Sequence, residues 1–499
     1  MSGEALLERM QRQGPDHRVV LRDNNEALTL TVLQQRITAV GQLLQEAGVS
    51  RLGLHADNSL GWIVVDLACR ARGIVCVPLP LFFTSTQLLH VLGSCGLDAI
   101  VTANADQFST HFKFRHNSVA GELTLLSNGA RMAVPLPEGT GKVTFTSGST
   151  GTPKGVCLGW DQLERQARVL AEAVGLDAPR HLCVLPLSTL LENVAGVYAP
   201  LWAGGEVVVC PLADLGFQGS RLTSPLQFLE TLSRVQPQTL ILIPQLLHLL
   251  VQAVKNGWQP PKLEFIAVGG SRVAPVLVQE ARKLGLPVYE GYGLSECASV
   301  VSLNTPAHDL AGSAGHVLPH VQLSNTNGEL VVSGNTMLGY AGELQSWYPK
   351  TIATGDIGHV DGNGFVHISG RSKNLLISSY GRNIAPEWVE SELLATPLLA
   401  DAVVYGDAQP YCVALVSPRD PATPDALIQT VINATNMRLP DYAQVQRWQR
   451  LPAMLAANPQ LLTANGRPRR AAIAAAFAGE LAALYPATPA LSRTAGAGA

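Results

Sequence analysis

The sequence predicts an α/β protein: a large N-terminal domain of two αβ subdomains plus a small β-barrel or sheet, then a small α+β C-terminal domain. Three observations carry this. Short β-like runs alternate with longer helix-period runs in two separate blocks. Between them and the C-terminal part lies a stretch of brief alternating runs broken by Asn-Gly and Asp-Gly. The chain has 499 residues, more than one ordinary domain needs.

In order, RLGLHA, GIVCVPL and LDAIVT between residues 51 and 102 read as strands, with NSLGWIVVDLACRAR and TSTQLLHVLGSC as the helices between them. The alternation returns with HLCVLPL, EVVVC, TLILIP, EFIAVGG and PVYEGYG as strands, and LLENVAGVYAPLWAG and APVLVQEARKLG as helices. Residues 300–370 contain NGELVVSG and DIGHVDGNGFVHISG, hairpin text that suits a small antiparallel barrel or sheet. Beyond Arg371, EWVESELLA and PDALIQTVINATNM read as helices, and ADAVVYGD and YCVALVSP as a strand pair. The expected domains are 1–371 and 372–485, with 486–499 a low-complexity tail expected to be disordered.

Composition narrows the function. Apolar residues make up 47%, charged residues 15%, and 35 basic against 38 acidic side chains leave a net charge of −3, which fits neither a disordered chain nor a basic nucleic-acid binder. The most apolar stretch, residues 239–254, is interrupted by Pro244, Gln245 and His248 and suits a strand and a helix, so no transmembrane segment is expected. The N-terminal text lacks a basic-then-apolar leader, which makes the cytoplasm the expected compartment. Eight scattered cysteines, with no CxxC pair and no histidine at zinc spacing, read as reduced core residues.

The strongest local signal is VTFTSGSTGTPKGV, residues 143–156. A strand-like run enters a loop with hydroxyls at Thr146, Ser147, Ser149 and Thr150, glycines at Gly148, Gly151 and Gly155, and the ammonium of Lys154. Glycines let backbone N–H groups turn toward an anion, hydroxyls donate to its oxygens, and the lysine supplies charge, a mix suited to polyphosphate. A plain flexible linker would not sit between two apolar strand-like runs. A Walker loop is excluded, because Pro153 precedes the lysine and Gly155 follows it. Further on, EGYGLSE (290–296) offers an aromatic plane at Tyr292 that can stack on a purine and a carboxylate at Glu296 that can hold a hard divalent cation.

The loop closely resembles the TSG(S/T)TGxPKG segment of the adenylate-forming (AMP-binding) enzymes, and EGYGLSE resembles that superfamily's (Q/E)GYG(x)(S/T)E motif. VGGSRVAP at 268–275, before EGYGLSE, and TGD at 354–356 and SGRSKN at 369–374, after it, complete five segments in family order. The resemblance implies ATP-dependent activation of a carboxylic acid to an acyl-adenylate, then transfer to a thiol. It implies that Thr146 and Glu296 hold Mg²⁺, that Ser149, Thr150 and Lys154 hold the leaving pyrophosphate, and that the carboxylate sits near Gly291. Ser147, Gly148 and Gly151 of the loop would bind ATP with Tyr292, Gly293 and Ser295, and Gly270 and Ser271 would bind it from the segment that lines the adenine and acyl pockets. Asp356 would bind the ribose hydroxyls and Arg371 the nucleotide. Lys373 falls at the hinge of a mobile C-terminal domain, whose loop around Gly381 would line the thiol channel.

Two departures matter. Where the family places a catalytic lysine in a (L/P)TxNGKxxR segment, this chain has LTANGRPRR with Arg467, and Lys373 is its last lysine. Arginine keeps the charge but not the compact geometry. LPLSTLLEN resembles the LPLSHxxER segment of long-chain acyl-CoA synthetases, with Thr189 for the usual His and Asn193 for the usual Arg. A fatty-acid-like small-molecule carboxylate is therefore expected, with coenzyme A as acceptor. Two other readings stay open: a ligase that loads the phosphopantetheine of an acyl carrier protein, and a catalytically weakened nucleotide-binding relative. Residues 371–499 carry eleven basic and nine acidic side chains, a balance of +2 that suits either anionic acceptor.

Overall fold

The computed structural model describes residues 5–14, 16–112, 114–128, 134–146, 153–219, 221–380, 382–463 and 466–485, the side chains of 114–118 and 221 excepted. The chain divides into two compact units, Met1–Lys373 and Asn374–Ala499.

Two large sheets organise the first unit. In the nine-stranded sheet, Val19–Arg22, Glu206–Val209, Arg180–Cys183, Thr239–Leu242, Phe265–Val268 and Val288–Leu294 pair in parallel succession. The central strands Thr239–Leu242, Arg180–Cys183 and Glu206–Val209 are buried almost throughout, as parallel strands covered on both faces require. Antiparallel Ser299–Leu303 and His316–Val317 extend one edge. The eight-stranded sheet has parallel Val75–Pro78, Arg51–His55 and Ala99–Thr102 at its centre, with the antiparallel pair Lys142–Thr146 and Lys154–Leu158 on one side.

Local chemistry sets the helices where the periodicity places them. Leu60–Arg72 starts at Ser59, whose Oγ accepts the Trp62 N–H at 3.1 Å, and stops at Gly73 in the left-handed region (φ 63°). Ser85–Cys95 opens on a capping box between Thr84 and Gln87.

The hairpin text of residues 300–370 folds as expected of Asn-Gly. Asn327 (φ 54°) and Gly328 (φ 88°) both take positive φ and join Gln322–Thr326 to Glu329–Ser333. With Thr351–Val360 and Val366–Arg371 these strands form a four-stranded antiparallel sheet, which decides between the two expected forms in favour of the sheet.

The segment read as one regular helix over LLENVAGVYAPLWAG differs. Glu192–Tyr198 is a π-helix that passes into Ala199–Trp202. Gly196 lies against the pair His181 and Glu192, where a Cβ would stand 2.8 Å from His181 Nε2. The wider turn brings Glu192 to accept the Val184 N–H at 3.1 Å and Asn193 into a buried charge cluster. In that cluster fully buried Lys142 pairs with Asp66 at 2.7 Å and donates to Tyr198 Oη at 2.9 Å and to Asn193, while Asn193 donates back to Asp66 at 3.0 Å. At Asn193 the chain thus holds a neutral amide against the cation of Lys142.

The second unit packs helices Pro386–Leu394 and Asp425–Asn436 on a three-stranded sheet of Leu399–Tyr405, Cys412–Pro418 and Val445–Arg450. The expected strand pair is antiparallel, and Val445–Arg450 adds in parallel. All eight cysteines are buried and free, as expected of core residues. No helix among the described residues is long and apolar enough to cross a membrane.

Candidate functional site

The phosphate loop is the connection of a hairpin. Lys142–Thr146 and Lys154–Leu158 pair antiparallel with Thr146 opposite Lys154, so the hydroxyl and the ammonium named above face each other across the loop's mouth. Ser147, Gly148, Ser149, Thr150 and Gly151 lie outside the described residues.

Lys154 is half-exposed. Its Nζ stands 2.9 Å from Glu343 Oε1 and 4.8 Å from the ring centroid of Tyr340. The same Tyr340 donates its hydroxyl to Glu296 Oε1 at 3.0 Å. Glu296 occupies the 3-10 turn Ser295–Cys297 that joins Val288–Leu294 to Ser299–Leu303, and its carbonyl accepts the Met337 N–H at 2.6 Å. Burial, then the Glu296 carboxylate, push the Tyr340 hydroxyl well above the ordinary phenol range, so it remains a donor at neutral pH. Lys154 and Glu296, 142 residues apart in the chain, are thus joined through one side chain that sequence reasoning did not single out. Its only trace in the sequence is a Gly-Tyr pair, and strand pairing of Gly339–Tyr340 onto Lys154–Leu158 is what brings it there.

A second group forms around Asp356. Its carboxylate accepts the Tyr292 hydroxyl at 2.7 Å and pairs with Arg371 Nε at 2.8 Å, the residue directly opposite it in the antiparallel register. Asp356 is buried and Arg371 half-exposed, so the pair presents its cationic edge outward. Glu290, at the head of EGYG, is also buried. Desolvation pushes its carboxyl up to about 7, against the opposing pull of the Gly312 N–H it accepts at 3.0 Å.

Gly270, Tyr292, Gly293 and Ser295 line one cavity of about 240 Å³. Gly270 takes a positive φ of 81°, and Ser271 beside it is exposed. The cavity continues past Leu190, Ala195 and Ile241 as far as His181, Thr239 and Phe265. Thr239 and Phe265 are the first residues of their strands, whereas Gly269 and Gly270 follow the last residue of theirs. The cavity therefore runs the length of these strands, roughly 10 Å at the usual rise per residue. Its carboxyl-end mouth is where open α/β sheets bind ligands. At its other end His181 Nδ1 lies 2.9 Å from Thr239 Oγ1, and His181, Cys183 and Glu192 bring one potential ligand atom each within 4.8 Å of one another. The sequence signal for that cluster was lacking, since its members fit no metal spacing.

Lys373 lies in the 3-10 turn Ser372–Asn374, at the last position of the first unit. Gly381 lies outside the described residues. Arg467, in the second unit, is exposed at the end of a tight turn: its N–H donates to Thr463 Oγ1 at 3.0 Å and its carbonyl accepts the Thr463 N–H at 2.7 Å.

Comparison with known proteins gives this arrangement a context. Residues 7–344 match the family of AMP-binding enzymes, and residues 373–489 match the AMP-binding enzyme C-terminal domain. A mitochondrial medium-chain acyl-CoA ligase of Mus musculus is 26% identical over 479 residues, covering 81% of this chain and 76% of its own length. A 2-succinylbenzoate–CoA ligase of Staphylococcus epidermidis is 27% identical over 424 residues, covering 79% of this chain and 83% of its own. In fold, the chain is similar to an anthranilate CoA ligase solved in complex with anthranoyl-AMP, with a TM-score of 0.80 at 17% identity, covering 96% of this chain and 99% of that one. With more than half of its length matched by the family, the chain belongs to the AMP-binding enzymes.

Proposed function

We propose that this protein is an AMP-forming acid–thiol ligase that activates a fatty-acid-like carboxylate with ATP and passes the acyl group to coenzyme A. The observation that carries the reading is the single cavity that begins among Gly270, Tyr292 and Ser295 and continues between apolar side chains along the strands. Such a cavity offers one end to an adenylate and the other to an elongated apolar tail.

In this reading the substrate carboxylate oxygen attacks the α-phosphorus, pyrophosphate leaves, and the thiol then attacks the acyl carbon and releases AMP. The first step brings two anions together, so the chain must supply positive charge and donors. Lys154 is placed to leave Glu343 for the β- and γ-phosphates, with Ser149 and Thr150 of the loop as donors. Asp356 would accept from ribose hydroxyls, and Tyr292, tied to it, would border the purine. Thr146 and Glu296 offer the hard oxygen ligands that Mg²⁺ prefers, and when bound the ion would offset charge on the phosphate oxygens. Lys373 is proposed as the hinge and the loop at Gly381 as the thiol channel.

Pyrophosphate release measured with octanoate, dodecanoate and benzoate, each with coenzyme A and with a phosphopantetheinylated carrier protein, tests the reading. Turnover with the aliphatic acids and coenzyme A is expected. Turnover only with the carrier protein would move the acceptor, and a preference for benzoate would move the substrate class. Carboxylate-independent nucleotide binding without any turnover would favour the weakened-relative reading, for which Arg467 in place of lysine is the specific observation.

A further inference from the structure

We propose that Tyr340 is a positioning residue that holds the phosphate lysine and the magnesium carboxylate in one geometry, its ring face carrying Lys154 and its hydroxyl orienting Glu296. The inference rests on the roles proposed above for Lys154 and Glu296.

Strand pairing places the ring. Tyr340 is directly opposite Val156, and Lys154, two residues along the same strand, projects to the same side of the sheet. The ammonium stands 4.8 Å from the ring centroid, within the range where an aromatic face attracts a cation. A cation held only by Glu343 would be lost to solvent when polyphosphate displaces that carboxylate. The ring face keeps it near the loop's mouth through the exchange.

The backbone of this segment is secured without the phenol. Tyr340 N–H donates to Ser346 Oγ at 2.8 Å, its carbonyl accepts Trp347 Nε1–H at 3.1 Å, and Ala341 N–H donates to the Gly155 carbonyl at 2.8 Å. Gly339 closes the approach, since a Cβ there would meet the Trp347 ring at 2.6 Å. The hydroxyl is therefore not needed to hold the turn, and its contact is with Glu296 Oε1. Occupying one carboxylate oxygen fixes the rotation of the group and presents the other oxygen in a constant direction, as a hydrogen-bonded ligand does in pre-formed cation sites.

The test uses the full chain and equilibrium binding of a non-hydrolysable ATP analogue by calorimetry, first in EDTA and then across a Mg²⁺ titration, with thermal unfolding alongside. Tyr340→Phe keeps the ring and loses the hydroxyl. It is expected to bind the analogue in EDTA within about two-fold of wild type but to need about five-fold more Mg²⁺ for half-maximal enhancement, with unchanged Tm. Tyr340→Leu loses both and is expected to weaken binding about five-fold in EDTA as well. In a Glu296→Gln background, Tyr340→Phe should have no further effect on the Mg²⁺ dependence. Wild-type Mg²⁺ dependence in Tyr340→Phe, with or without a lowered Tm, overturns the proposal. Lys154→Met and Glu296→Gln separate the two levels: if neither alters nucleotide affinity or its Mg²⁺ dependence, the site reading itself fails, whereas if both do and Tyr340→Phe does not, only the positioning role fails.

Discussion

Glu290 and Glu296 stand six residues apart in one motif, and Glu290 is the buried one of the two. Glu290 is closed off from water and its carboxyl is pushed from 4.5 to about 7, desolvation outweighing the Gly312 N–H and the more distant Arg282 and Arg272. A folded-state value above the unfolded one means that the native state prefers the proton. Its contribution to stability is full below pH 4.5 and is lost as pH rises through 7. Glutamine at this position can still accept from Gly312 and has no charge to desolvate. Glu290→Gln is therefore expected to unfold close to wild type at pH 5 and at a higher temperature at pH 8.5, a difference on the order of 2 kcal/mol. Thermal unfolding followed by circular dichroism across that range checks it, and parallel curves for the two proteins would refute it. The sequence marks Glu296 as a candidate but gives no sign that Glu290 is buried, because Glu290 is enclosed by residues around 312 that the local text does not connect to it. The reverse holds for Asp356 and Arg371: both are legible as nucleotide contacts by resemblance, and their mutual pairing follows only from the antiparallel register.

At the scale of elements, strands and helices with clear period and caps were legible, the strand over PVYEGYG among them, and the departure at residues 192–198 falls where tertiary contacts override local preference. Glycine-rich EGYGL is a weak strand former, yet Val288–Leu294 remains extended through it because Ser299–Leu303 pairs alongside. The turn between them is strained: Ala298 (φ 58°) and Ser299 (φ 105°) both take positive φ without being glycine. Their path presses the Ser299 carbonyl onto Gly293, where a Cβ would lie 1.7 Å from that oxygen. Backbone atoms cannot rotate aside as a side chain can. Gly293→Ala is therefore expected to cost about 3 kcal/mol or more and to disturb the cavity wall next to Glu296. Gly362→Ala, at a position where a Cβ meets nothing within 4 Å, should be close to neutral. Denaturant midpoints of the two variants measure the contrast, and a stable Gly293→Ala would show that the hairpin can shift register. The π-helix at Glu192–Tyr198 has the same kind of origin. Helix period predicts a helix there, but the wider turn answers to His181 and Lys142 from other strands, which no window of local sequence contains.

For the whole molecule, alternation revealed two αβ blocks and a smaller antiparallel sheet, whereas the order of strands within each sheet depends on crossovers that the text does not encode. Charge placement across the chain is the more consequential property. The sequence has no lysine and no histidine after Lys373, so every cationic side chain of the second unit is an arginine. Arg470 is committed internally, its Nη2 2.5 Å from buried Glu390. Arg467 is exposed and its main chain is held by Thr463. Removing one charged donor from a phosphoryl- or acyl-transfer site typically costs about 10²–10³ in rate. Arg467→Met is thus expected to lower carboxylate-dependent pyrophosphate exchange by about 100-fold with unchanged Tm, while thiol transfer from a preformed acyl-adenylate stays within about three-fold, because in that step the thiol attacks the acyl carbon and no anion has to approach the α-phosphorus. Arg467→Lys then reports on geometry at constant charge: a faster exchange than wild type marks the guanidinium as an imperfect substitute for an ammonium, and a slower one marks a site shaped to its planar fork. Full exchange in Arg467→Met would remove this residue from adenylation and leave the first unit to activate the carboxylate with Lys154 as its cation.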